Sequence, residues 1–249
     1  MHARKKDDEA SNDSELKKKE LYCSEEEIAA LLKKNPYSPT EISIAIKRSR
    51  YKDEIQSGIA TLRKAGILTK DNQEAVILAF KNANKMAEAI ERLDSHGILI
   101  KENRDAVAEA GVYADKVVNA LIELNKHKFL PAGDIGNKNR AVVIEAGQYA
   151  EYAVEKLLAY QKNGNLTDET RAAVLKEIET EEEQAKLVFD RFKNAMTTDS
   201  YYDVVELADE CVKFKPFSYQ FLKSLSNFDR FTFIGNLLLA TKKTLNEED

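Results

Sequence analysis

Along the middle of the chain, apolar and small residues recur with alternating gaps of three and four. Val76, Ala79, Ala83, Met86, Ile90 and Leu93 make one stripe, and Val107, Ala110, Ala114, Val117, Leu121 and Leu124 a second. Val143, Ala146, Ala150, Ala153, Leu157 and Tyr160 make a third. A mean spacing of about 3.5 residues marks a helix with one buried seam. Because each stripe keeps its phase, the pattern predicts single helices of about 25 residues, near 37 Å long at ~1.5 Å per residue. Such rods pack side by side at a shallow angle. On this reading Gly111 and Gly147 are small residues inside a helix that let neighbouring axes approach closely. The alternative is a pair of helices per stripe, broken near residues 82–84, where neither proline nor glycine marks a turn.

The stripes belong to a repeat. Leu68, Leu99 and Leu130 fall at equal intervals of 31 residues, as do Gly66 and Gly97, Asn72 and Asn103, and Val76 and Val107. After Leu130 an insertion, Pro131–Lys138, shifts the register; Asn103-Arg104 then matches Asn139-Arg140, and Glu109-Ala110-Gly111 matches Glu145-Ala146-Gly147. A fourth match starts at Gly164. Self-similarity at such a period is the mark of a stacked array. Breakers gather at each junction, where Gly66, Gly97 and Gly164 suit left-handed helix ends and Thr69, Thr167 and the Ser38-Pro39-Thr40-Glu41 box suit helix starts. The first and last units carry charges in the stripe, as end units covered by one neighbour do. In the last, Ile178, Ala185, Phe189 and Phe192 take over the apolar face.

The ends differ in character. Residues 1–22 form a charged arm with little to bury, expected to be disordered. Residues 23–196 are the repeat domain. Residues 197–249 hold nine of the chain's 20 aromatics, between Tyr201 and Phe233, and are expected to form a helical cap of about three short helices. The fold class is therefore all-α: tandem helical repeats in an antiparallel, solenoid-like array with a helical C-terminal cap. Composition agrees, since 249 residues contain only nine glycines and four prolines, too few turn formers for a sandwich or barrel. The net charge of −5 argues against nucleic acid or an anionic membrane as a whole-surface partner. No apolar run reaches the ~20 residues of a membrane span, and the start of the chain lacks the apolar core of a secretory signal.

Candidate chemistry is sparse. His96 and His127 sit in the last turns of helices and suit the negative dipole end; neither has the neighbours of a metal ligand. Cys23 and Cys211 cannot build a disulfide framework. Nucleotide-binding, zincin and serine-hydrolase motifs are absent, so no catalytic residue, cofactor or metal is assigned. Three features remain for binding a protein. Asp134 and Asn137 lie in the irregular insertion, where a rigid array can carry a variable loop. Arg104, Arg140 and Arg171 hold equivalent places in first helical turns, with Gln73 in the earlier unit; if the units are helix pairs they line one edge and suit an acidic partner, while ordinary solvated arginines are the competing reading. Phe217 and Phe221 belong either to the cap's own core or to an aromatic-lined groove. The acidic run Glu177–Glu183 reads as a solvent-exposed helix face, with a surface for a basic partner as the alternative.

The junctions Ala65-Gly66-Ile67-Leu68-Thr69-Lys70-Asp71-Asn72 and His96-Gly97-Ile98-Leu99-Ile100-Lys101-Glu102-Asn103-Arg104 resemble a "GILTxENR" helical repeat. That repeat is associated with effector proteins which intracellular bacterial pathogens deliver through a type IV secretion system. The resemblance covers residues 28–192 and departs at the third junction, where Phe129-Leu130-Pro131 stands. The repeat and the missing catalytic motifs predict a non-enzymatic scaffold that binds a host or bacterial protein; the resemblance implies that it is made in the bacterial cytoplasm and delivered to the host cytosol. The acidic end, Glu247-Glu248-Asp249, is similar to the tails of such cargo. The alternative is an enzyme or enzyme regulator with a site between the array and the C-terminal segment.

Overall fold

The computed structural model describes residues 22–34 and 38–197, and beyond them positions 207, 210, 211, 214, 217, 221, 225 and 233–235. The charged arm, apart from its last residue, and most of the C-terminal cap lie outside the described residues. What is described is all-α, with no strand among the described residues. In chain order the helices are α1 (Glu25–Lys33), α2 (Pro39–Lys47), α3 (Lys52–Lys64), α4 (Lys70–Leu78), α5 (Ala83–Ser95) and α6 (Lys101–Ala110). Then follow α7 (Ala114–Lys126), α8 (Asp134–Ala146), α9 (Ala150–Lys162) and α10 (Asp168–Thr197). The chain divides into two compact units, Met1–Glu151 and Tyr152–Asp249, so the boundary expected at 196–197 falls inside the second.

The long rods expected from the stripes are instead helix pairs. Each stripe is interrupted by one turn of 3-10 helix: Phe80–Asn82, Gly111–Tyr113 and Gly147–Tyr149. The cause is a backbone reversal at the first residue of the turn, where φ is +46° at Phe80, +56° at Gly111 and +53° at Gly147. Glycine reaches that region freely and ends helices there. Gly111 and Gly147 therefore terminate helices rather than thin them. The stripe still holds, because the residues on both sides of each turn face the same core: Ala83, Ala114 and Ala150 are at most 1% exposed. The first pair breaks differently, between α2 and α3, with neither a 3-10 turn nor a left-handed residue, and there the stripe positions Arg48 and Lys52 are exposed.

Within the first unit the helices form two rows. In one, α3 packs on α5 and α5 on α7; in the other, α4 packs on α6 and α6 on α8; the partners of each pair also pack together. Lys85 donates to the Val112 carbonyl and Arg92 to the Asn119 side chain, both 27 residues apart. A constant offset means that α5 and α7 run parallel, so the antiparallel neighbours expected of single rods do not occur along this row. Close approach between α3 and α5 rests on Gly58, where a Cβ would lie 2.7 Å from Val76 and 2.8 Å from the Ala83 carbonyl oxygen.

Several helix ends follow the expected chemistry, and two junction positions depart from it. Ser24 and Glu27 form a reciprocal capping box, and Ser38 and Thr69 accept from the amides of Glu41 and Asn72. At the start of α6, Ile100 stands where a cap is needed, makes no cap hydrogen bond and is 46% exposed. Ile100→Thr should supply it and raise stability by about 1 kcal/mol in urea titration. At the third junction Lys128 takes the left-handed conformation, φ +62°, that Gly66, Gly97 and Gly164 adopt at the others. Lys128→Gly should relieve that strain and raise the melting midpoint by roughly 2 °C, since a side chain in this region costs about 1 kcal/mol.

In the second unit α10 runs 30 residues unbroken. Ile178, Ala185, Phe189 and Phe192 are buried, as the apolar face predicted. Phe189 stacks on Phe221 with ring centroids 4.1 Å apart, and Phe192 meets Phe221 and Phe233 edge-on at 6.0 and 5.0 Å. The acidic run is not wholly solvated. Glu181 and Glu177 turn toward Lys156, whose ammonium lies 2.7 and 3.3 Å from their oxygens, and accept from the hydroxyls of Tyr152 and Tyr160. Partial burial opposes the charge on Lys156, but its bonds to Glu181, Tyr152 and Glu177 outweigh that and lift its pKa above the usual lysine range.

Candidate functional site

Three asparagines at the junctions do the same work. The side-chain amides of Asn72, Asn103 and Asn139 each donate, at 2.8 Å, to a carbonyl of the preceding junction, at Ile67, Ile98 and Phe129. All three asparagines are buried. Two of their oxygens are taken by arginines from the next pair: Arg104 Nη1 donates to Asn72 at 3.2 Å, and Arg140 Nε to Asn103 at 2.6 Å. These rungs join α4 to α6 and α6 to α8. Burial pulls the Arg140 guanidinium down from its ordinary pKa without threatening its charge.

The arginines proposed for an acidic partner are thus turned inward. Arg140 is 4% exposed and also donates to Asn137 at 3.1 Å. Arg104 adds an ion pair to Asp71 at 3.3 Å. Arg171, in the second unit, is 8% exposed and pairs with Asp168 at 2.9 Å. They are neither solvated nor presented as a ladder: bonds to the preceding pair hold Arg104 and Arg140, and Asp168 on its own helix holds Arg171. In the insertion Asp134 is exposed and pairs with Lys138 at 2.9 Å, while Asn137 is exposed and braces Arg140. Phe217 and Phe221 are buried in the second unit's aromatic core, at 2% and 6% exposure. His96 and His127 cap the ends of α5 and α7; His96 Nδ1 lies 2.8 Å from the Arg92 carbonyl oxygen, and His127 Nε2 3.2 Å from Glu123.

The rung is missing at one seam. Between α2 and α4 the positions of asparagine and arginine are held by Glu41 and Gln73, so no arginine–asparagine rung joins the two helices. Helix α2 packs on α1 and α3 instead, and α1 reaches α4. The seam holds a cleft of about 280 Å³ whose apolar lining is Ile42, Ile46, Ile59 and Ile77, with Ser43, Gln56, Arg63 and Gln73 as its polar groups. A second cleft, of about 310 Å³, lies at the break edge, lined by Tyr51 of the first pair, Leu78 and Phe80 of the second, and Val107, Ala108 and Gly111 of the third. There Glu25 and Arg50 close an ion pair at 2.8 Å over it, and Arg50 covers the Tyr51 ring at 4.6 Å.

Other chemistry is limited among the described residues. No group of three or more His, Cys, Asp or Glu is placed to hold a metal ion. No described helix is long and apolar enough to cross a membrane. Burial pushes the Cys211 thiol up to about 12, and burial with Glu27 nearby raises Cys23, so neither carries the depressed pKa of a nucleophilic thiolate. No protein-family model, curated protein or solved structure matches the chain. The seam was the feature missed from the sequence, although Gln73 in the place of an arginine was its visible trace.

Proposed function

We propose that this chain is a non-enzymatic helical scaffold that binds another protein, and that it belongs to the type IV secreted effectors whose "GILTxENR" repeat its junctions resemble. The observation that carries the binding reading is the α2–α4 cleft, floored by isoleucines and rimmed by polar side chains, at the end of a row whose next two seams, α4–α6 and α6–α8, are locked by arginine–asparagine rungs. An open seam on a rigid support is a usual setting for recognition, because the scaffold loses little freedom when a partner docks.

Two measurements test it. Tagged full-length chain, incubated with host-cell lysate, should retain one protein saturably and release it to excess untagged chain. A reporter fusion should enter host cells only from bacteria with a working type IV system. A well-folded chain with no saturable partner contradicts the scaffold, and entry without that system contradicts delivery by this route.

A further inference from the structure

We infer that the α2–α4 cleft takes an amphipathic helix of the partner, seating two apolar side chains on its isoleucine floor and a carboxylate on Arg63. This rests on the scaffold reading above and adds the place and the chemistry. The volume of about 280 Å³ sits at the small end of ligand pockets, which suits a pair of side chains rather than a cofactor. Helix-in-groove docking uses just such anchors, one turn apart.

Charge selects the occupant. Acidic residues outnumber basic ones in the chain, 43 to 38, yet the cleft is lined by one arginine and no carboxylate. Among the described residues no ion pair or hydrogen bond engages the side chains of Arg63, Gln56, Gln73 or Ser43. Elsewhere the arginines of this unit are held: Arg50 by Glu25, Arg104 by Asp71 and Asn72, Arg140 by Asn103. Arg63 therefore stands at the edge of an apolar floor with its planar fork free to take a carboxylate in two hydrogen bonds, and the two glutamines can bond exposed backbone at a helix end.

The test uses the full-length chain and a fluorescent alanine-based helical peptide of about 18 residues, long enough to hold a helix. It carries two leucines one turn apart and a glutamate on the same face; otherwise identical peptides carry glutamine or lysine. By anisotropy the glutamate peptide should bind saturably and the glutamine peptide roughly fivefold more weakly, the yield of one exposed ion pair. Arg63→Glu should reverse the order in favour of lysine. Ser43→Trp, an exposed position at the cleft, should abolish binding with the melting midpoint unchanged.

Equal binding of the three peptides, or binding that survives Ser43→Trp, overturns the inference. So does a concentration-dependent dimer that Ser43→Trp dissolves, since a second copy would then fill the seam. A host protein retained saturably while no peptide binds would sink this inference and leave the scaffold standing. Peptide binding as described, with no saturable host protein, would do the reverse.

Discussion

Alanine at Asn103 is expected to lower stability by about 3 kcal/mol, which in a chain of this size moves the melting midpoint down by roughly 6–12 °C. The side chain is 1% exposed and serves two partners, donating to the Ile98 carbonyl and accepting from Arg140 Nε. Removing it strands the Ile98 carbonyl and the Nε of a guanidinium that is itself 4% exposed and keeps only its bond to Asn137, and a buried charged donor without its acceptor is the expensive part. No described buried side-chain polar atom lacks a partner in the native array, so the alanine variant would create the first. The double variant Asn103→Leu with Arg140→Met should recover much of the loss, because both ends of the rung are then apolar. Urea titration of the two singles and the double gives the coupling; additive losses would mean that the rung does not act as a unit.

The second large effect is expected at Phe192. It is 0% exposed and meets Phe221 and Phe233 edge-on, beside the stacked pair Phe189–Phe221. Phe192→Ala should cost about 3–5 kcal/mol, combining lost transfer energy with the cavity left among three rings. Leu187→Ala on the same helix, at a side chain 67% exposed, should change stability by less than about 0.5 kcal/mol. The contrast, read by thermal melting with near-ultraviolet circular dichroism, separates core from surface on α10. Equal losses at the two positions would contradict the packing of this face.

Burial was legible in the sequence, and the direction of the chain was not. The three- and four-residue gaps placed Val76, Ile90, Val107, Leu121, Val143 and Leu157 in the core, and all are at most 1% exposed. The same gaps hid the breaks, because a three-residue turn reversed by one left-handed residue returns the stripe to the same buried side. Gly111 and Gly147 were visible but ambiguous, since a glycine serves close packing and a left-handed end equally well. Phe80 offered no sign at all: an aromatic residue at φ +46° is paid for by tertiary packing, including its tilted contact with Tyr51 at 6.3 Å. The charges at Arg48 and Lys52 were the one overt mark of a break, and they admitted the other reading of a polar end unit.

The arginines show a second limit. Their equivalence along the chain was apparent, and so was that of the asparagines beside them. That Arg140 bonds the asparagine of the previous pair, rather than its own neighbour or solvent, follows only once the pairs are stacked. The open seam was invisible for the same reason, since a missing rung has meaning only where rungs are known. The aromatic segment held two readings in the sequence, and the burial of Phe217, Phe221 and Phe233 places their rings in a core.

Native-state hydrogen exchange on the full-length chain tests the account at its centre, the contrast between locked and open seams. Amides in the buried stretches of α6 and α8, around Val107 and Val143, should exchange only through global unfolding and so share one free energy. Those of α2, from Ile42 to Ile46, should open at a free energy lower by about 2 kcal/mol or more, as a helix without a rung to its row neighbour does. If α2 proves as slow as α6 and α8, the seam is closed in solution, and both the cleft and the docking assigned to it fall.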